Sequence, residues 1–277
     1  MANKKVETDT QSEKEKKLGV KRKAFLASAF HIVFNVGAAT LSLVLLLLFP
    51  EAPWAAFLVV VASKYRVFSV KSRFWVANIL SNLTDFIFCL GLVILVWQAG
   101  VNGVLWLQIA LTVIYILWLI VLKPMTKPVA VKIQAGLSQF VAITALFTVS
   151  DHLALPIIVA LLFITGFAVA RHLLMLHDEK QHTLIAMIWG LLLAEMGFVA
   201  YHWIVVYEVI LSEITVSQFA IIATALGFLA ERYYDSQRRN EGSVKWVDVV
   251  WPTIFTVILI LILLFLFGGL YGALGLS

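Results

Sequence analysis

Charge is the scarce commodity in this chain. Of 277 residues only 13% are Asp, Glu, Lys or Arg, against roughly 25% in an average soluble domain. With 62% hydrophobic residues and a mean hydropathy of +0.96, the chain has too little polar surface to cover a soluble fold. Cysteine is almost missing as well. Cys89 stands alone, which excludes an intramolecular disulfide framework, a CxxC redox pair and a multi-thiolate metal centre. No Gly/Ser linker and no low-complexity tract divides the sequence. GxSxG, Walker A and HExxH patterns are all lacking. The motif content therefore calls for no cofactor and leans away from an enzyme.

What is present is apolar length. A spanning helix needs about 20 apolar residues. Nine such segments follow one another at roughly 24–49, 52–68, 74–98, 103–122, 129–150, 153–170, 183–206, 214–230 and 247–271. The expectation is an all-α polytopic membrane protein, a bundle of about nine transmembrane helices. Residues 1–23 hold eight Lys/Arg and four Asp/Glu and read as a disordered cytoplasmic arm. Residues 24–277 form one membrane domain. The first apolar run is too long for a signal h-region and reads as a retained helix.

The second segment is short. Ala52 to Ser63 gives roughly 18 Å of helix against a core of about 30 Å. The basic residues decide whether it crosses. With nine crossings and the N-terminus inside, all 21 Lys/Arg fall on one side, with Glu51, Asp151, Glu208 and Glu213 on the other. Without that crossing only the first eight remain inside. Loop charge sets orientation, so the nine-span topology is favoured, with the C-terminus outside. Lys64 and Arg66 then snorkel to the cytoplasmic interface. Trp54, Trp97, Trp106 and Trp203 mark outer ends and Trp75, Trp118, Trp246 and Trp251 inner ends, as an aromatic belt does. Short loops and a basic inner side fit a bacterial inner membrane. The net charge of +5 serves the bilayer here and implies no nucleic-acid partner.

Polar groups inside the spans are costly and hence informative. On the third segment Asn78, Asn82, Asp85 and Cys89 share one face, since spacings of 4, 7 and 11 recur on a helix. His31, Asn35 and Ser42 do so on the first, Lys132 and Gln139 on the fifth, and Glu195 and His202 on the seventh. Asn35, Asp85, Gln139 and Glu195 all fall near mid-span, which suggests a common polar interior. No basic residue lies at that depth. Asp85 and Glu195 are therefore expected to be protonated or bound to a small cation. Lys132, one turn from the inner end, is expected to snorkel.

Two further patterns carry weaker signals. The segment RHLLMLHDEKQH (171–182) offers His172, His177, Glu179 and His182 as metal ligands, with Asp178 and Arg171 beside them. Their spacing favours a hydrated cytoplasmic turn and no bound metal. FVAYH (198–202) and HIVFN (31–35) resemble pieces of the CAAX-processing type of intramembrane protease. The paired-glutamate motif that belongs ahead of them is absent and their order is reversed, so no family follows. SQFVAITAL (138–146) and SQFAIIATAL (217–226) would enter the membrane from opposite sides, as halves of an inverted repeat do; two apolar helices drawn from few residue types also produce such a match. Gly268 and Gly272 form a GxxxG that suits a helix partner.

Three functions fit. The first is a proton- or cation-coupled transporter using Asp85 and Glu195, its path lined by Asn35, Asn78, Asn82, Gln139, His31 and His202. The second is a membrane scaffold. The third is a membrane enzyme acting on a lipid-linked substrate at the cytoplasmic face.

Overall fold

The computed structural model describes residues 30, 32–177, 179–202, 206–209 and 214–266. His31, Gly268, Gly272 and the arm at 1–23 lie outside them. Nine helices of two turns or more occur among the described residues. They are α1 (Ile32–Leu48), α2 (Trp54–Ser63), α3 (Trp75–Val101), α4 (Leu105–Leu117), α5 (Pro128–Thr148), α6 (Leu155–Leu176), α7 (His182–His202), α8 (Gln218–Arg239) and α9 (Trp246–Leu266). Six of these, α3 to α7 and α9, are long and apolar enough to cross a membrane.

Local chemistry sets the helix ends. Pro50 and Pro53 lie in the turn between α1 and α2. Pro128 and Pro156 occupy first-turn positions of α5 and α6, where the missing N–H would have had no partner. Ser217 caps α8, its Oγ accepting from the Ala220 N–H at 3.0 Å. Two short strands, β1 (Val206–Val209) and β2 (Ile214–Ser217), pair antiparallel between α7 and α8. The α8–α9 turn closes through Gly242 at φ +95°, a conformation glycine adopts without strain.

The packing forms two cores. One gathers Ala39, Leu46, Val60, Phe88, Leu92, Tyr115 and Leu119 from α1 to α4. The other gathers Ile143, Phe147, Ile158, Leu162, Leu193 and Phe219 from α5 to α8. Helix α5 joins them by packing on α3, α6 and α8. The tightest pair is α6 with α7. A methyl group on Gly190 would stand 2.7 Å from the Phe163 carbonyl oxygen, and one on Gly166 would stand 2.9 Å from Gly190 Cα. Backbone meets backbone there, the close approach that small residues permit between membrane helices.

Several boundaries differ from the sequence expectation. Helix α2 stops at Ser63 instead of continuing past Lys64, because a 3-10 turn (Tyr65–Val67) follows it. Helix α6 runs to Leu176, so residues 171–176 are helical rather than part of a hydrated turn. Helix α8 runs nine residues beyond 230, to Arg239. Its charged last turns are amphipathic, which hydropathy alone reads as loop.

Candidate functional site

Two sites emerge, one in each core. The first centres on Asp85, ten residues into α3 and buried. Lys64, the residue that ends α2, places Nζ 2.5 Å from Asp85 Oδ2. Lys123 Nζ lies 2.7 Å from the same oxygen. The other oxygen, Oδ1, accepts from the Trp118 indole N–H at 2.9 Å and faces Cys89 Sγ at 3.5 Å. The Trp118 ring stacks on Phe88 at 3.6 Å between centroids. A π turn over Trp118–Leu122 ends α4, closed by the Lys123 N–H on the Trp118 carbonyl. Residues five apart on an α-helix point about 140° apart. The wider π turn narrows that angle, and Trp118 and Lys123 both reach Asp85.

The expectation that Asp85 lacks a basic partner is thus corrected. The position of Lys64 beside a helix end points it to the interface. A lysine stem is long enough to bend inward as well as outward, and here the inward carboxylate wins. Lys64 does not snorkel: its side chain is 4% exposed. The four acceptor positions of Asp85 face two ammonium groups, an indole N–H and a thiol.

A cavity of about 210 Å³ adjoins this cluster. Asn35, Asn82, Ser63, Lys64 and Lys123 contribute its polar wall, and Phe30, Phe34, Tyr65 and Val67 its apolar wall. Asn82 and Asn78 are also tied locally. The Asn82 amide donates to the Asn78 carbonyl at 2.9 Å, and the Asn78 amide donates to the Val67 carbonyl at 3.3 Å.

The second site is a chamber of about 550 Å³ among α5, α6, α7, α8 and α9. Its deep wall is apolar: Phe140, Val169, Ile221, Phe228 and Leu259. Gln139 lies against it, donating to the Ala223 carbonyl at 2.7 Å and accepting from the Trp189 indole at 3.3 Å. The shallow end is polar. Lys132 Nζ sits 2.5 Å from Glu231 Oε1 and 3.5 Å from Asp235 Oδ2. The Tyr234 hydroxyl donates to Glu179 Oε2 at 2.5 Å and holds that carboxyl below its usual range. Burial pushes the Tyr234 phenol up and holds the His177 imidazole below its ordinary value. On α8, Thr224, Gly227 and Glu231 follow spacings of 3 and 7, so the helix presents them on one face. Three buried polar atoms of this lining have no hydrogen-bond partner: Thr224 Oγ1, Glu231 Oε2 and His177 Nε2. Buried polar atoms ordinarily find one.

His177, Glu231 and Asp235 bring one donor atom each to within 4.8 Å of one another. Of the suggested metal ligands only His177 joins such a group among the described residues. His172 faces Gln134 Oε1 at 3.0 Å, and His182 Nδ1 faces the Glu179 carbonyl at 2.8 Å. The Lys132 ammonium bridges both carboxylates of the group, and Arg239 pairs with Asp235 at 3.3 Å. Lys132 was expected to snorkel; instead it forms this ion pair.

The common midplane interior is not formed. Glu195 is exposed on the outward face of α7, beside exposed Leu191, Leu192, Phe198 and Val199. His202 is exposed too. Asp85 and Asn35 belong to the first site and Gln139 to the chamber. Position along a helix can be read from the sequence, but which way each face turns depends on neighbours that the sequence does not identify.

No protein family, no curated protein and no solved structure matches the chain.

Proposed function

We propose that the protein handles a lipid-type amphiphile, drawn into the α5–α9 chamber from the cytoplasmic leaflet with its polar head at Lys132, His177, Glu231 and Tyr234. In this reading the chain crosses the membrane nine times, N-terminus inside and C-terminus outside, as in a bacterial inner membrane. The observation that carries the proposal is the chamber itself. Its volume lies in the range of ligand sites, about 300–1,000 Å³. It is apolar in depth and polar at the end that the charged connections share. Phe255 lines it and is still 65% exposed, so the wall between α7 and α9 is open toward the surrounding lipid. The unpartnered Thr224, Glu231 and His177 atoms are suited to a hydroxylated or amine-bearing head.

This choice moves away from cation-coupled transport through paired carboxylates. Asp85 pairs with two lysines and Glu195 is exposed on α7, so the geometry does not favour a path shared between them. It stands closest to a protein acting on a lipid-linked substrate.

Bromine quenches tryptophan fluorescence at short range, and Trp189 lines the chamber. A lysophospholipid with a brominated acyl chain should quench wild type more than Trp189→Phe. Gly136 also lines the chamber, and a methyl group there would meet nothing within 4 Å. Gly136→Leu should therefore fill the space without a clash and abolish the difference. Equal quenching of all three proteins would sink the proposal.

A further inference from the structure

The geometry points to a second, independent site: the cavity beside Asp85 binds a small organic anion, a carboxylate or phosphate group on an apolar body. The sign comes from counting charge. Among the described residues Lys64 and Lys123 share the single carboxylate of Asp85, which leaves one positive charge in excess there. Among the described residues, the cavity is lined by both lysines and by no acidic one. Each ammonium carries three N–H donors. Asp85 takes one from each, and Cys89 faces one more from Lys64 at 3.4 Å. Lys64 is buried, where an excess charge is poorly screened and attracts a counter-ion strongly.

The size and walls select the class of anion. A water molecule's share of liquid volume is about 30 Å³, so about 210 Å³ is far too roomy for a bare halide. One wall offers the two ammonium groups; the other offers Phe30, Phe34 and Val67. An anionic head on an apolar substituent satisfies both walls at once. Such a group can belong to a soluble organic anion or to the head of an anionic lipid. The sequence pattern suggested a cation path at Asp85. The structure reverses the sign of the expected ligand.

The test uses the full chain in phosphatidylcholine nanodiscs, with phenyl phosphate and benzoate titrated against thermal unfolding. Phenyltrimethylammonium serves as a cation of similar shape. Saturable stabilisation by the anions and none by the cation is expected. Lys123→Gln leaves Asp85 paired with Lys64 and removes only the excess charge. It should weaken anion binding about tenfold or more, the usual worth of a charged hydrogen bond, while Lys123→Arg retains it. If Lys123→Gln does not fold, Asn82→Leu serves the same comparison by replacing a polar lining residue with a branched apolar one that narrows the cavity. Loss of the phenyl phosphate response in phosphatidylglycerol nanodiscs would identify the lipid head as the occupant. A retained response would identify a soluble anion. Stabilisation by the cation, or anion binding that Lys123→Gln leaves unchanged, would overturn the proposal. Neither outcome bears on Trp189 quenching in the chamber, so the two readings fail separately.

Discussion

Lys64 and Asp85 form a buried ion pair at 2.5 Å, and Lys123 makes it a triad. Removing one member of a buried charged group typically destabilises by about 3–5 kcal/mol, because the remaining charge is left unpaired. Asp85→Asn leaves two ammonium groups facing each other and should lower thermal stability by about that amount. Lys64→Met in the same chain removes one of them and should recover part of the loss. Unfolding curves of the two single variants and the double variant give the coupling directly. Independent, additive losses would show that the triad is not a unit.

The α6–α7 contact predicts an asymmetry between glycines. Gly190→Ala places a methyl against the Phe163 carbonyl, and overpacking of this kind costs about 1–3 kcal/mol. Gly136→Ala, which meets open space, should be neutral or slightly stabilising in its helix, since alanine is the better helix former. Thermal unfolding of both variants in one detergent is the measurement. A harmless Gly190→Ala would mean that the two backbones lie further apart.

Glu195 has an exposed position on an apolar face. Glu195→Gln should leave the stability of the isolated protein within about 0.5 kcal/mol, as surface substitutions do. A large loss would place Glu195 inside a contact and restore it as a candidate carrier.

Acid should loosen the polar end of the chamber. The His177 imidazole sits below its ordinary value of about 6.5 through burial, and the Glu179 carboxyl is lowered by Tyr234. For both groups the unfolded chain binds a proton first as pH falls. Their contribution is fully present above pH about 6.5 for His177 and above the ordinary carboxylate range for Glu179. It is lost on acidification toward the lowered values. Stability measured from pH 8 to pH 3 should therefore decline in two steps, and His177→Gln should remove the upper one.

Topology is testable through the single thiol. Cys89 is buried and should resist an impermeant maleimide. New cysteines at Glu51 and Asp151 should label from outside intact cells, and those at Lys127 and Glu241 only after permeabilisation. Labelling of Lys127→Cys in intact cells would reverse the orientation.

Much of the scaffold was legible in the amino acids, and much of the chemistry was not. Apolar length located the helical segments because burying twenty residues in lipid leaves little choice of conformation. It failed where length and polarity disagree. The last turns of α8 are helical yet charged, because Glu231 and Asp235 meet Lys132 across the bundle. The stripe through Asn82 and Asp85 was correct as a helix face. Its partners were missed because Lys64 lies 21 residues from Asp85 and Lys123 lies 38 residues from it, in segments whose proximity no spacing rule encodes. The two-stranded hairpin escaped notice for a related reason: four-residue strands carry no periodic signal long enough to separate from helix.

The glycines of α6 and α7 have a consequence for how such a chain can vary. At positions 166 and 190 the packing requires the absence of a side chain, not any chemistry a side chain could perform. Chamber residues such as Ile221 or Leu259 can exchange volume with one another and reshape what the cavity admits. Gly166 and Gly190 have no equivalent exchange, since the atoms they spare are backbone. The shape of the chamber can drift in this architecture while the α6–α7 joint stays fixed, and the two glycines set the boundary between what can change and what cannot.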